Sequence, residues 1–286
     1  MNETTIEQFW DAHPCGDHIV GGLTERFAGD FEQFFTQYDA WRYDQESHIL
    51  ECLDALHVDG KAVLEIGLGE GSEAEQLVRR GAHYSGLDLT SASIQRVAAR
   101  FALRDLPFED LRQGSALEIP WPDDAFDLVF SHGVLHHIPD IETAQREIHR
   151  VLRPDGELVV MLYARRSLNY QVSIRVLRRA ALAVVYPLAR YGLYRPGGIV
   201  GQHVANAREV GLWHYLRLEN FVHRSTDGPL NPFARVYDLD RVAHDFPDFE
   251  ITKSYQRYMH APPLPVTGGP LASRLGWHLW VHLRPR

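Results

Sequence analysis

Three groups of residues in this 286-residue chain have the types and spacing to do chemistry. Gly67, Gly69 and Gly71 stand at alternate positions, directly after the run Ala62-Val63-Leu64-Glu65-Ile66 and before Glu73-Ala74-Glu75-Gln76-Leu77-Val78. Glycine accepts positive φ and has no Cβ, so such a turn brings a ligand against bare backbone and the free N–H groups of the next helix. Asp88 follows Gly71 by 17 residues and closes a second apolar run. A strand-end acid at that place reaches ribose hydroxyls in a nucleotide-binding α/β fold, although an isolated strand-end Asp also serves as a helix cap. His132, His136 and His137 form the third group, of the residue type that moves protons near neutral pH.

The elements that must position these groups read as strands alternating with helices. Ala62–Ile66 is the first strand, Tyr84–Leu89 the second, Ser91–Leu103 a helix capped by Ser91, and Phe108–Gly114 a short third strand. Phe126–Ser131 is a strong fourth strand and Ile141–Leu152 a helix, which Arg153-Pro154-Asp155-Gly156 stops and turns into a fifth strand, Glu157–Tyr163. This alternation predicts a parallel sheet with helices on both faces. Phe249–Tyr258 and Trp277–Leu283 alternate as strands and pair as a hairpin that closes the sheet, after a helix within Arg235–Phe246. Residues 4–60 read as largely helical. Residues 164–240 lose the alternation and are too long for a connection in a compact unit, so they read as an inserted cap. The expected fold is α/β, a doubly wound, seven-stranded, mostly parallel sheet with an N-terminal helical cover and a helical cap insertion. Its expected division is 1–59, 60–163, 164–240 and 241–286.

Composition narrows the partners. A net charge of −9 and a pI near 5.9 argue against a nucleic acid held by phosphate contacts. Cys15 and Cys52 are too few for a disulfide framework and have no cysteine partner at metal-ligand spacing. The polar start Met1-Asn2-Glu3-Thr4-Thr5-Ile6-Glu7 has no basic-then-apolar leader, so a cytoplasmic location is expected. The most apolar run, Ala180–Ala189, is half the length of about 20 residues that spans a bilayer. Arginines flank it, which excludes stable insertion and leaves contact with a membrane surface open. Dinucleotide chemistry is disfavoured because G-x-G-x-x-G requires glycine where Ser72 stands.

Taken in order, the motifs resemble the class I S-adenosylmethionine-dependent methyltransferases. Val63-Leu64-Glu65-Ile66-Gly67-Leu68-Gly69-Glu70-Gly71 looks like their first motif, Gly86-Leu87-Asp88 their ribose-binding acid, and Gln113-Gly114-Ser115-Ala116 their adenine-flanking segment. Ile119–Val129 with Val134–Asp140 is similar to the fourth-strand region, and Arg150–Glu157 to the run into the fifth strand. The resemblance covers residues 60–163 and implies S-adenosyl-L-methionine as methyl donor, with S-adenosyl-L-homocysteine as product. It places Glu65, Gly67, Leu68, Gly69, Gly71, Asp88, Leu89, Ser115, Ala116 and Ser131 around that cofactor, with Glu65 near the methionyl ammonium. One departure is Ser115, where the family commonly carries an acid toward the adenine. Trp10, Tyr38 and Tyr43 are candidates for the aromatic surround of the sulfonium.

The resemblance also places acceptor-facing groups just past the fourth strand, where His136 and His137 stand, with His132 one turn earlier. Adjacent residues do not share a helical face, and His136 is preferred as the general base; the other reading has the three histidines only bonding the loop. A metal is not expected, since the segment offers no acid between Ser131 and Ile138. Acceptor contacts are sought outside the shared core, at Trp10, His13, Arg165, Tyr170, Asp227, Asn231 and Tyr237. Arg165 and Arg166 are either a carboxylate clamp or solvated surface charges. The expected function is methylation of a small-molecule metabolite on O, N or S in a lidded pocket, by a monomer or homodimer. The alternatives are C-methylation of a hydrophobic ring such as a quinone precursor, and a non-catalytic S-adenosylmethionine-binding regulator.

Overall fold

The computed structural model describes residues 3–12, 30–267 and 269–286. Its main sheet has seven strands in the order β3-β2-β1-β4-β5-β9-β6. These are β1 (Ala62–Ile66), β2 (His83–Asp88), β3 (Asp110–Gln113), β4 (Phe126–His132), β5 (Leu152–Tyr163), β6 (Phe249–Arg257) and β9 (His278–Pro285). Strands β1 to β5 run parallel, while β9 is antiparallel to both β5 and β6. β1 pairs with β2 on one side and β4 on the other, so the strand order reverses there and the crevice at the C-terminal ends of these strands is where an open α/β sheet receives ligands.

Period-2 alternation divides the strand residues between two cores. Leu128 and Phe130 face a core with Leu53, Leu77, Phe101 and Trp280. Val129, between them, faces the opposite core with Leu64, Ile148, Leu158, Phe246 and Val281. The helices that cover these faces include α4 (Ser72–Arg79), α5 (Ser91–Leu103), α6 (Ile141–Val151) and α11 (Leu239–Asp245).

Two helices precede the sheet, α2 (Phe31–Gln45) and α3 (His48–Asp54), and a separate helix α1 (Glu3–Ala12) lies earlier. An ionic cluster ties α2 down. Arg100 of α5 is fully buried and donates to Asp39 of α2 at 2.7 Å and to Glu75 of α4 at 2.9 Å, with its guanidinium 4.4 Å from the centre of the Phe35 ring. Arg104 reaches Asp39 at 3.2 Å, and Ser72 Oγ donates to it at 2.6 Å. A buried charge is tolerated only with partners of this kind, so these contacts fix α2 over the start of α4.

After β5 the chain forms a wide helix of π type, Asn169–Arg178, that continues into α7 (Arg179–Arg190) and is followed by α8 (Gly198–Val210), α9 (Leu212–Tyr215) and α10 (Leu218–His223). A single parallel bridge between Ala164 and Tyr237 closes this insertion.

Two local expectations are corrected and a third is met. The cap of α5 is Thr90, whose side chain accepts from the Ser93 N–H, because Asp88 holds Thr90 in place and Ser91 is already helical. Strand β5 begins at Leu152, since Leu152 pairs with Phe126 and the register shifts around Arg153–Gly156 before Glu157 meets Leu128. The last two sheet strands pair antiparallel at the sheet edge as expected, with β7 (His260–Ala261), β8 (Leu264–Thr267) and α12 (Ala272–Leu275) in the connection between them.

Candidate active site

A cavity of about 390 Å³ opens at the C-terminal ends of β1, β2 and β4. Its floor is the glycine turn. Gly67 has φ +82°, and a Cβ there would lie 2.1 Å from Val134 Cγ2, so both backbone and space require glycine. Gly71, with φ +78°, is the N-cap of α4 and packs against Val97 and Arg100 instead of lining the cavity.

Asp88 organises the turn and faces the cavity. Its Oδ2 accepts from the Leu68 N–H at 2.7 Å, and its Oδ1 accepts from the N–H and hydroxyl of Thr90, each at 2.8 Å. The Gly69 N–H also acts on this carboxyl, so about four donors of the chain share its roughly four acceptor positions, and a ligand hydroxyl would have to share or replace one of them. Burial raises its pKa and these hydrogen bonds oppose the rise.

Glu65 ends β1 almost fully buried and accepts from Tyr84 Oη at 2.6 Å. Burial holds its carboxyl well above the usual range, with the Tyr84 hydroxyl pulling the other way. Among the described residues it makes no ion pair, so a cationic ligand group at this wall would meet an unbalanced acid.

Above the third strand, Glu3 of α1 lines the cavity and accepts from Ser115 Oγ, which also accepts from the Leu117 N–H at 2.9 Å. Ala116 reaches the wall, and Ser115 itself stands behind it.

The next wall is polar. Arg42 of α2 donates to Glu73 at 2.7 Å and to His132 Nδ1 at 3.2 Å. Burial, followed by the charge of Arg42, pushes the His132 pKa well down, and burial does the same to His278. Glu46, His132 and His278 bring ligand atoms within 4.8 Å of one another, the geometry of a cation site. Arg42 lies 3.8 Å from Glu46 and 3.2 Å from His132, so a guanidinium already stands against two of the three.

The far wall carries His137. Its Nδ1 lies 2.6 Å from the Phe233 carbonyl oxygen, which can only accept, so Nδ1 holds a proton. Nε2 then faces Asp227 Oδ2 at 3.4 Å. Asp227 is fixed by Tyr163 Oη at 2.5 Å and by Asn231 Nδ2 at 3.2 Å. A proton taken up at His137 Nε2 would therefore be held by an oriented carboxylate. The Trp10 ring meets the His137 ring edge-on at 5.1 Å.

Of the residues singled out from sequence, Glu65, Gly67, Leu68, Gly69, Asp88, Leu89, Ala116, Tyr38, Trp10, His132, His137 and Asp227 line this cavity together. The remainder stand elsewhere. His136, the preferred base, is fully buried with its ring centre 3.9 Å from that of Tyr163, because the tight turn Leu135–His137 aims it into the core. Ser131 donates to the Ile66 carbonyl at 2.9 Å and joins β4 to β1. The Tyr43 hydroxyl is buried behind the wall. Arg165 is exposed and pairs with Asp238 at 3.4 Å, and Arg166 lies with Tyr237 on a separate cavity, so no carboxylate clamp forms there. Tyr170 packs in the core, and Asn231 acts through Asp227. His13 lies outside the described residues.

Arg42, Glu73, Glu3, His278 and Arg178 on this wall were not foreseen. Only Arg42 left a signal, as the charged member of the buried stripe Phe35, Tyr38, Arg42 on one face of α2.

Residues 64–160 match the family described as a methyltransferase domain. Over 101 residues the chain is 42% identical to a fatty-acid O-methyltransferase of Mycolicibacterium smegmatis, covering 35% of this chain and 36% of that protein. Over 140 residues it is 34% identical to a malonyl-[acyl-carrier protein] O-methyltransferase of Halorhodospira halophila, covering 46% and 47%. The chain thus matches about a third to a half of the length of these curated relatives. The crystal structure of an S-adenosylmethionine-dependent methyltransferase from Mesorhizobium loti superposes with a TM-score of 0.53 at 18% identity, covering 84% of this chain and 97% of that one. That likeness establishes the fold.

Proposed function

We propose that the chain, whose residues 64–160 match a methyltransferase domain and whose fold is that of S-adenosylmethionine-dependent methyltransferases, methylates a small-molecule carboxylic acid held in the cavity. When bound, S-adenosyl-L-methionine supplies an electrophilic methyl group on a sulfonium and leaves as S-adenosyl-L-homocysteine. The residues fit it. The Gly67 turn leaves bare backbone for close approach, Asp88 presents a buried carboxyl at the cavity wall to the ribose, and Glu65 is a buried acid for the methionyl ammonium. Glu3, beside Ser115, supplies from α1 the acid that the adenine-flanking segment lacks. Trp10 and Tyr38 offer ring faces to a sulfonium.

The chain's own contribution to methyl transfer is positioning. Holding two reactants in line is worth roughly 7–11 kcal/mol in favourable cases. Tyr163 and Asn231 fix Asp227, and Asp227 faces His137, so this array shapes the acceptor wall; a carboxylate acceptor is already ionised near neutral pH and needs no base.

The observation that carries the acid is Arg178. It lines the cavity, half-buried, at the end of the wide helix. Its nitrogens donate to the carbonyls of Pro262 at 3.0 Å and Ser225 at 2.6 Å, and to Asn169 Oδ1 at 3.4 Å. Among the described residues no carboxylate pairs with it. Burial pushes its pKa down to about 10. A guanidinium fixed by neutral oxygens and facing a cavity lacks only an anion, and its fork matches a carboxylate. The two relatives named above act on acids by their names, which agrees with this assignment.

The test is calorimetry on the full chain saturated with S-adenosyl-L-homocysteine. Acetate, butyrate, octanoate and laurate are titrated beside the corresponding amides. At least one carboxylate is expected to bind about 10- to 100-fold more tightly than its amide, and Arg178→Gln should erase that preference without changing S-adenosyl-L-homocysteine affinity. No preference in the wild-type chain, or a preference that survives in Arg178→Gln, refutes the acid assignment. Failure of the chain to bind S-adenosyl-L-homocysteine refutes the methyltransferase reading itself.

A further inference from the structure

A solvent-facing helix ordinarily shows apolar residues inward and polar residues outward. Helix α7 does not. Leu182 and Ala189, seven residues apart, are its buried face. On the opposite side Val184, Leu188 and Tyr191 follow the i, i+4, i+7 stripe of a second apolar face, and they are 63%, 39% and 75% exposed. In the residues that follow α7, Leu193, Ile199 and Trp213 are likewise 76%, 62% and 78% exposed. Residues 176–213 hold ten of the sixteen large exposed hydrophobics among the described residues, so the exposure is concentrated and not scattered.

Charge separates this stretch from the rest of the chain in the same way. Residues 175–213 contain six arginines and one acid, Glu209, which makes the segment +5 within a chain of −9 and leaves −14 elsewhere. Arg175, Arg190, Arg195 and Arg208 are exposed beside the apolar stripe. An apolar face rimmed by arginines, on a molecule otherwise acidic, is complementary to a surface that is apolar within and negative at its rim. Among the described residues no helix is long and apolar enough to cross a membrane, and the contact inferred is one of lying on the surface. We propose that α7, the loop after it, α8 and α9 form a docking face for anionic phospholipid bilayers.

The inference does not depend on the activity and is tested without it. The full chain is sedimented with vesicles of phosphatidylcholine containing about 30% phosphatidylglycerol, and with pure phosphatidylcholine vesicles. The chain should pellet with the anionic vesicles, less with the neutral ones, and less as salt rises. Val184→Glu combined with Leu193→Glu and Trp213→Glu should reduce partitioning about tenfold or more. Arg190→Glu with Arg195→Glu should reduce it on anionic vesicles alone. Circular dichroism and S-adenosyl-L-homocysteine binding verify that each variant is folded, and loss of a vesicle-induced blue shift of tryptophan emission in Trp213→Phe places the contact without any apolar-to-acid change. Absence of co-sedimentation, or binding unchanged in both combined variants, overturns the proposal. So does a dimer in sedimentation equilibrium that the triple variant abolishes, when no vesicle binding accompanies it, because the face then meets a second copy.

Discussion

Gly67→Ala tests the claim that the cofactor turn and the acceptor wall are one rigid piece. The new Cβ would lie 2.1 Å from Val134 Cγ2 and 2.8 Å from Cγ1, and the backbone would remain at φ +82°. Left-handed backbone costs an L-residue about 1–2 kcal/mol, and overpacking typically adds about 1–3 kcal/mol. A total loss of roughly 2–5 kcal/mol is expected from urea unfolding of the ligand-free chain. The two contributions separate in a double-mutant cycle. Val134→Ala removes both Cγ atoms but keeps the Cβ at 2.9 Å, so it should return most of the crowding part and leave the backbone part, a coupling of about 1–2 kcal/mol. Val134 stands three residues before His137, so Gly67→Ala should also lower kcat more than homocysteine affinity in proportion to the displacement. A stability within about 0.5 kcal/mol of wild type, or strictly additive single effects, would refute the reasoning.

Asp88→Asn keeps the shape of the turn and loses the charged acceptor. It should weaken S-adenosyl-L-homocysteine binding about 10- to 100-fold by calorimetry, and unchanged affinity would remove the ribose role. His137→Ala should lower the rate of carboxylate methylation only modestly at nearly constant S-adenosyl-L-homocysteine affinity, because an ionised acceptor has no proton to shed, and a loss of rate that grows as pH falls would refute this. His136→Ala, a cavity in the core beside Tyr163, should cost about 2–4 kcal/mol of stability in denaturant titrations. The ring of His282, 3.1 Å away, holds the Glu157 carboxyl below the usual range. A depressed folded-state pKa gives stability that is present above the unfolded value of about 4.3 and is lost as pH falls through the folded value. Unfolding free energy measured from neutral to acid pH should therefore fall less steeply below that point in Glu157→Gln.

Legibility in the sequence followed the range of the interaction. Gly67 and Asp88 were readable because a strand-turn-helix unit and the strand beside it are local, and backbone geometry restricts which residues fit. The same holds for the fourth strand, expected over Phe126–Ser131 and observed over Phe126–His132, and for the parallel sheet implied by alternation. Side-chain direction within a short turn was not readable: His136 and His137 are adjacent and alike, and only the turn Leu135–His137 decides that the second meets the cavity. Arg178 and Glu3 escaped for another reason. Each comes from an element whose docking is set by tertiary contacts, Arg178 by carbonyls of Pro262 and Ser225, Glu3 by Ser115. Arg165 was the mirror case, a suitable type at a promising sequence position that β5 delivers to solvent.

The place of β9 in the sheet bears on the order of assembly. Strands β1, β2 and β3, which carry the cofactor turn and Asp88, are neighbours in sequence as well as in space. The wall residues Trp277 and His278 reach Tyr163 only when β9 inserts between β5 and β6, and His278 pairs with Tyr163 across 115 residues of chain. Contacts so distant in sequence form late, because the loop entropy must be lost before they contribute. The donor side of the cavity can thus be complete while its acceptor side is still open, and a refolding chain should gain affinity for S-adenosyl-L-homocysteine before it gains protection of the amide hydrogens in β9.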